Sequence, residues 1–179
     1  FNRTGYGFRD ENWQPKLNAD GTLNTEQIQE MMEAAGSCAV TMHRAFDVCA
    51  DPFEALKKSA ELGVDTILTS GQEADCLAGC GLLKKLVQLT DQSRSDSRRV
   101  TILAGAGVTS ANIAEIAKKT GVRAFHMSGK RLLESGMRYR NERVHMGLGS
   151  LSEFECYRTD EAEIRRTAEI LRTLGEDGR

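Results

Sequence analysis

No apolar run in this 179-residue chain approaches the roughly 20 residues that a membrane-spanning helix needs. The polar opening Phe1-Asn2-Arg3-Thr4 has no signal-peptide core either. A soluble, cytoplasmic protein with no membrane partner is expected. An excess of one charge is also missing: 24 Lys and Arg interleave with 26 Asp and Glu, for a net charge of −2. Without a basic stripe, nucleic acid is excluded as an expected partner. The cysteines, Cys38, Cys49, Cys76, Cys80 and Cys156, are odd in number in a chain long enough to build a core without cross-links, which argues against a disulfide framework and for reduced thiols. The chain also lacks a starting Met, so it is expected to be a part of a longer sequence.

What is present is alternation. Four short β-rich runs, Ala39–His43, Asp65–Thr69, Val100–Ala104 and Arg123–Met127, separate segments of helical period. The spacing predicts helices over Thr25–Ala35, Pro52–Leu62, Asp75–Leu89 and Ser110–Thr120, and a last amphipathic helix over Glu161–Leu174. Asp51 ahead of Pro52 reads as an N-cap with proline in the first turn, and Gly63 and Gly121 read as stops. Helix–strand alternation of this kind predicts an α/β fold with a parallel sheet. One domain over 1–179 is expected: an irregular N-terminal segment at 1–23, βα repeats over 24–149 and a C-terminal helical segment over 150–179. Gln92–Arg99 reads as a solvated spacer, and regularity fades after Met127.

Parallel α/β folds carry their chemistry at the carboxyl ends of strands. The first run ends in His43, Arg44 and Asp47: an imidazole, a fixed cation and a carboxylate, suited to catalysis or to an ion pair that staples a loop. The second ends in Thr69-Ser70-Gly71, the third in Gly105-Ala106-Gly107 and the fourth in His126-Met127-Ser128-Gly129. Glycine-rich loops ahead of a helix can turn backbone amides toward an anion, so Gly105, Gly107, Ser128 and Gly129 form a candidate anion cradle. Tight βα turns require glycine for other reasons as well. Soft donors collect near the same ends, and strand alternation selects His43, His126 and Cys49 as a possible shared metal site, leaving Met42 and Met127 to packing. Cys76 and Cys80, four apart on the predicted helix, share a face without a second pair to complete a site.

The segments Val40-Thr41-Met42-His43-Arg44-Ala45-Phe46-Asp47, Ile67-Leu68-Thr69-Ser70-Gly71, Gly105-Ala106-Gly107-Val108, Phe125-His126-Met127-Ser128 and Ser135-Gly136-Met137-Arg138-Tyr139-Arg140 stand in an order and spacing that resemble the CutC family over residues 17–149. The resemblance implies a TIM barrel, a cytosolic location and a role in copper homeostasis with binding of Cu(I). A complete barrel needs eight strands and about 250 residues, so the four runs correspond to half to five-eighths of one. The family's first strands, and the cysteines they carry, have no counterpart here. An incomplete barrel exposes strand edges and a sheet face. A homo-oligomer of paired halves, or binding to a missing segment, is therefore expected. Two other readings stay open: an enzyme acting on a small anionic or phosphorylated metabolite, with His43 or Asp47 as acid or base, and a truncated form without function.

Overall fold

The computed structural model describes residues 17–92, 99–141, 143 and 154–176, and residue contacts divide the chain into two compact units. The first comprises Phe1–Val108 and Glu115–His126, the second Thr109–Ala114 and Met127–Arg179.

In the first unit each predicted βα repeat forms. Helix α1, Thr25–Ala35, is capped by Asn24, whose side chain accepts from the Gln27 amide at 3.1 Å. Strand β1, Thr41–Met42, runs into a 3-10 turn, Arg44–Val48. Helix α2, Pro52–Glu61, starts on Asp51, whose carboxylate accepts from the Phe53 and Glu54 amides at 2.8 and 3.1 Å. Strand β2, Thr66–Thr69, is followed by helix α3, Cys80–Gln92; strand β3, Thr101–Gly105, is followed by helix α4, Ile113–Thr120, and strand β4 is Ala124–His126. The chain passes from the second unit back into the first within α4.

The strands form one parallel sheet in the order β1-β2-β3-β4. Register assigns its two faces. Ile67, Ile102, Thr69 and Ala104 lie on one face and are buried. Met42 belongs to that face and meets the Ser59 hydroxyl of α2 at 3.7 Å, so this is the side covered by helices. The other face carries Thr41, Thr66, Leu68, Thr101, Leu103, Ala124 and His126, and none of these side chains is buried. A parallel sheet is normally covered on both faces; among the described residues this one is buried on the Ile67 face and half-buried to exposed on the other.

Beyond shifts of one to three residues at helix ends, such as α4 starting at Ile113 rather than Ser110 and α3 running to Gln92 rather than Leu89, two differences from the predicted elements matter. Helix α3 begins at Cys80 rather than Asp75, because residues 75–79 form a separate turn in which the Asp75 carboxylate accepts from the Leu77 and Ala78 amides at 3.0 and 2.9 Å. Gly79, at the end of that turn, has its backbone against the Ser70 carbonyl, where a Cβ would collide. Cys76 therefore lies in the turn and does not share a helical face with Cys80. The other difference is a strand pair after Met127. Strands β5, Lys130–Glu134, and β6, Glu155–Thr159, pair antiparallel ahead of helix α5, Glu161–Glu176. The connection from Ser135 to Phe154 far exceeds a hairpin loop of two to five residues, so no local turn signal marked the pair.

Inside the second unit, Glu163 of α5 holds the segment ahead of α4: its carboxylate accepts from the Ser110 amide at 2.6 Å and hydroxyl at 2.7 Å, and from Arg166 at 3.0 Å. The Ser110 amide bond, then its hydroxyl, then Arg166 hold the Glu163 carboxyl below its ordinary value of 4.5. A depressed carboxylate stabilises the fold above its unfolded value, and that stabilisation is lost as pH falls through the folded one. Glu163→Gln is thus expected to cost about 1 kcal/mol at neutral pH, with the difference from the parent shrinking below pH about 4.5. Urea unfolding at both pH values measures this.

Candidate functional site

The carboxylate of Asp47, at the end of the 3-10 turn after β1, is the most heavily bonded group at the carboxyl end of the sheet. Its side chain is 6% exposed. It accepts from Arg44 Nε at 2.5 Å, from the Thr69 hydroxyl at 2.5 Å, from the Ser70 amide at 3.0 Å and from the Gln72 amide at 3.3 Å. The loop after β1 is thereby fastened to the loop after β2. Arg44 reinforces the joint: its Nη2 donates to Ser70 Oγ at 2.7 Å and to the Glu73 carbonyl at 3.4 Å, while its side chain stays 41% exposed. The Ser70 hydroxyl has one hydrogen, and Glu73 O at 2.6 Å is its nearest acceptor, which leaves the oxygen free to receive Arg44. Gly71 and Gln72 both have positive φ, 75° and 60°. Thr69 Oγ1 accepts from the Gly71 amide at 2.9 Å, and the Asp47 bond holds Gln72 in the strained conformation. A second pair, Ala106 and Gly107 with φ 85° and 73°, follows β3. It is tied in through Cys76, whose amide and thiol both donate to Ala106 O, at 3.1 and 2.9 Å.

The other expected site residues divide by what holds them. His43 caps the 3-10 turn, its Nδ1 accepting from the Ala45 amide at 3.0 Å. In the neutral imidazole this leaves the proton on Nε2. Cys49 is 6% exposed, and Gln72 Nε2 donates to its carbonyl at 2.8 Å and lies 3.5 Å from its sulfur. His126, exposed on the uncovered face, adjoins Gly105: a Cβ at Gly105 would lie 3.3 Å from that of His126. Gly105 and Gly107 belong to the first unit and Ser128 and Gly129 to the second. In its own unit Gly129 packs against Ile164, and its carbonyl accepts from the Asp160 amide at 2.7 Å. Gln72 was not expected, and neither was the Glu73 carbonyl. Their contribution comes from a backbone conformation after β2 that residue type does not announce. A recess of about 250 Å³, lined by Val87, Thr90, Val100, Gly121, Val122 and Arg123, opens at the amino ends of β3 and β4, the opposite end of the sheet.

The donor chemistry does not fit a copper centre built from the described residues alone. Among the described residues no three of His, Cys, Asp and Glu converge as a metal would require. His43 and His126 close strands at opposite edges of the sheet, three strand spacings or about 14 Å apart. The His43 ring nitrogen turned inward is already an acceptor, and its other nitrogen carries the proton. Burial, followed by the negative charge of Asp51, pushes the Cys49 thiol up, and burial takes Cys76 to about 11. The structure thus does not bring the expected set His43, His126 and Cys49 together.

Parallel βα units with their polar groups gathered at the strand carboxyl ends define part of a TIM-type barrel and its mouth. The comparisons agree. The CutC family model matches residues 14–131. CutC family proteins of Parabacteroides distasonis and Bacteroides fragilis are each 43% identical to it, the first over 83% of this chain and 59% of the relative, the second over 87% and 60%. The crystal structure of the CutC protein of Streptococcus agalactiae, whose name refers to copper homeostasis, matches with a TM-score of 0.55 at 27% identity, over 62% of this chain and 51% of that one. This chain belongs to the CutC family. It spans about three-fifths of the length of the curated relatives it matches.

Two measurements check the site. Asp47→Asn keeps the shape but removes the charge that four donors share, and is expected to lower unfolding stability by roughly 2–3 kcal/mol; an unchanged urea midpoint would refute the staple. With a disulfide reagent at neutral pH, exposed Cys38 and Cys156 are expected to react first, and Cys49 and Cys76 only on unfolding. Peptide mapping of the labelled thiols reads the order.

Proposed function

We propose that this chain acts in copper homeostasis, handling Cu(I) as cargo in the cytoplasm and contributing to the rim of a barrel mouth rather than a closed metal cage. Membership of the CutC family carries this reading, and the name of the streptococcal relative supplies the process. Cu(I) takes thiolate, thioether and imidazole ligands and exchanges readily when few hold it. His126 suits that role: it is exposed at the end of β4, on the open face of the sheet. His43 must first give up its bond from Ala45, and Cys49 must lose a proton that burial retains. Any fuller ligand set would draw on groups outside the described residues.

One observation favours a second reading. Arg44 is held by its Nε and Nη2 yet remains 41% exposed, beside the positive-φ turn of Gly71 and Gln72. That arrangement suits a small anionic or phosphorylated metabolite at the mouth, with Arg44 neutralising its charge. His43 is then the available acid or base, because the lone pairs of Asp47 are committed to four donors.

The two readings separate in one titration series. Anaerobic Cu(I), competed by a chelator and followed by circular dichroism, is expected to bind the folded chain weakly and to lose that binding in His126→Ala. Binding by the unfolded chain alone would contradict the copper reading. Copper-free inorganic phosphate that raises the melting temperature saturably in the parent, and not in Arg44→Gln, would carry the second.

A further inference from the structure

We propose that Arg44 selects a singly charged oxygen ligand, a small monocarboxylate held through one oxygen, over a phosphate. The inference rests on the anion reading and narrows it, by naming the class of ligand that the loop after β1 takes.

The hydrogen bonds that Arg44 already makes carry it. A guanidinium has five N–H groups in one plane, and it grips a phosphate most strongly when two of its nitrogens donate in parallel. In Arg44, Nε donates to Asp47 Oδ2 at 2.5 Å, and Nη2 donates to Ser70 Oγ at 2.7 Å and to the Glu73 carbonyl at 3.4 Å. Both hydrogens of Nη2 are therefore committed, and every two-nitrogen grip on the outer side of the group needs one of them. The Glu73 bond is the longest of the three. Its carbonyl is nevertheless held in place, because the Ser70 hydroxyl donates to it at 2.6 Å. What remains for a ligand is Nη1, which among the described residues has no partner. One nitrogen meets one oxygen and cannot form the paired bonds of a phosphate clamp. Whatever further chain approaches this end of the sheet, the three bonds already made stay inside the fold.

Charge points the same way. The loops after β1 and β2, residues 43–51 and 70–79, set the carboxylates of Asp47, Asp51, Glu73 and Asp75 against the one guanidinium of Arg44. Asp47 already neutralises Arg44 in a direct ion pair. Asp51 and Asp75 are fixed in the same two loops by the backbone amides they cap. A phosphate carries about −1.5 to −2 charges at pH 7, and its repulsion from these carboxylates grows in proportion to that charge. A monocarboxylate meets the same field with a single charge. Ser70 is then a positioning residue: its hydroxyl ties both Nη2 and the Glu73 carbonyl, which leaves Nη1 as the nitrogen offered to a ligand.

Titration of the full chain with sodium acetate and with inorganic phosphate, at matched ionic strength, tests the proposal through the NMR shifts of the Arg44 Nε–H and the Gly71 and Gln72 amides. Acetate is expected to bind saturably and roughly fivefold or more tighter than phosphate, and Arg44→Gln to lose it. Ser70→Ala releases a hydrogen of Nη2 and is expected to move the preference toward phosphate by about tenfold, with an unchanged circular dichroism spectrum. A parent chain that binds phosphate more tightly than acetate would overturn the proposal and leave the anion reading standing. So would a preference that Ser70→Ala leaves as it was, or acetate binding that survives in Arg44→Gln. A parent that binds neither anion would overturn both the proposal and the anion reading.

Discussion

A single buried carboxylate sets the geometry of the candidate mouth. Asp47 reaches from the turn after β1 to the hydroxyl of Thr69 and the amides of Ser70 and Gln72 in the loop after β2. Parallel strands are joined only through distant crossovers, so nothing in the chain's connectivity fixes one βα loop against the next. The carboxylate does so, and Arg44 supplies the charge that makes its burial tolerable. Everything else at this end follows from that joint: the positive φ of Gln72, the seat of Cys49 under the Gln72 amide, and the partly open guanidinium. A loop pair that is stapled before any ligand arrives spends little entropy on binding one.

Much of this architecture was legible in the residues. Three of the four strands fall within the β-rich runs and β3 passes its run by one residue, Gly105, while α2 starts at the Asp51-Pro52 signal, because a cap and a proline act over a few residues and need no tertiary context. The strand ends were legible too, since His43, Arg44, Asp47 and Thr69-Ser70-Gly71 are polar where a parallel strand ought to be apolar. What escaped was set by distance in sequence. The start of α3 is fixed by Gly79 against Ser70, and β5 finds β6 across the twenty residues from Ser135 to Phe154. The grouping of His43, His126 and Cys49 failed for a related reason: alternation along a strand says which face a residue takes, but sheet order says how far apart two strands lie.

Family membership and local chemistry point in different directions. The name of the streptococcal relative refers to copper homeostasis, while the residues gathered most tightly here are oxygen and nitrogen groups suited to positioning loops. The thiols nearest the site are buried and held in their protonated form. These facts are compatible if copper meets this part of the protein as a passing cargo and the stapled mouth serves another ligand.

Amide hydrogen exchange at Ser70 and Gln72 is the most direct measurement of the central claim, that Asp47 holds the two loops as one body. Both amides donate to that carboxylate rather than to a strand neighbour. The account predicts protection comparable to that of the β2 and β3 amides, lost at both positions together in Asp47→Ala. Exchange at the rate of an open loop, with the sheet itself protected, would contradict it.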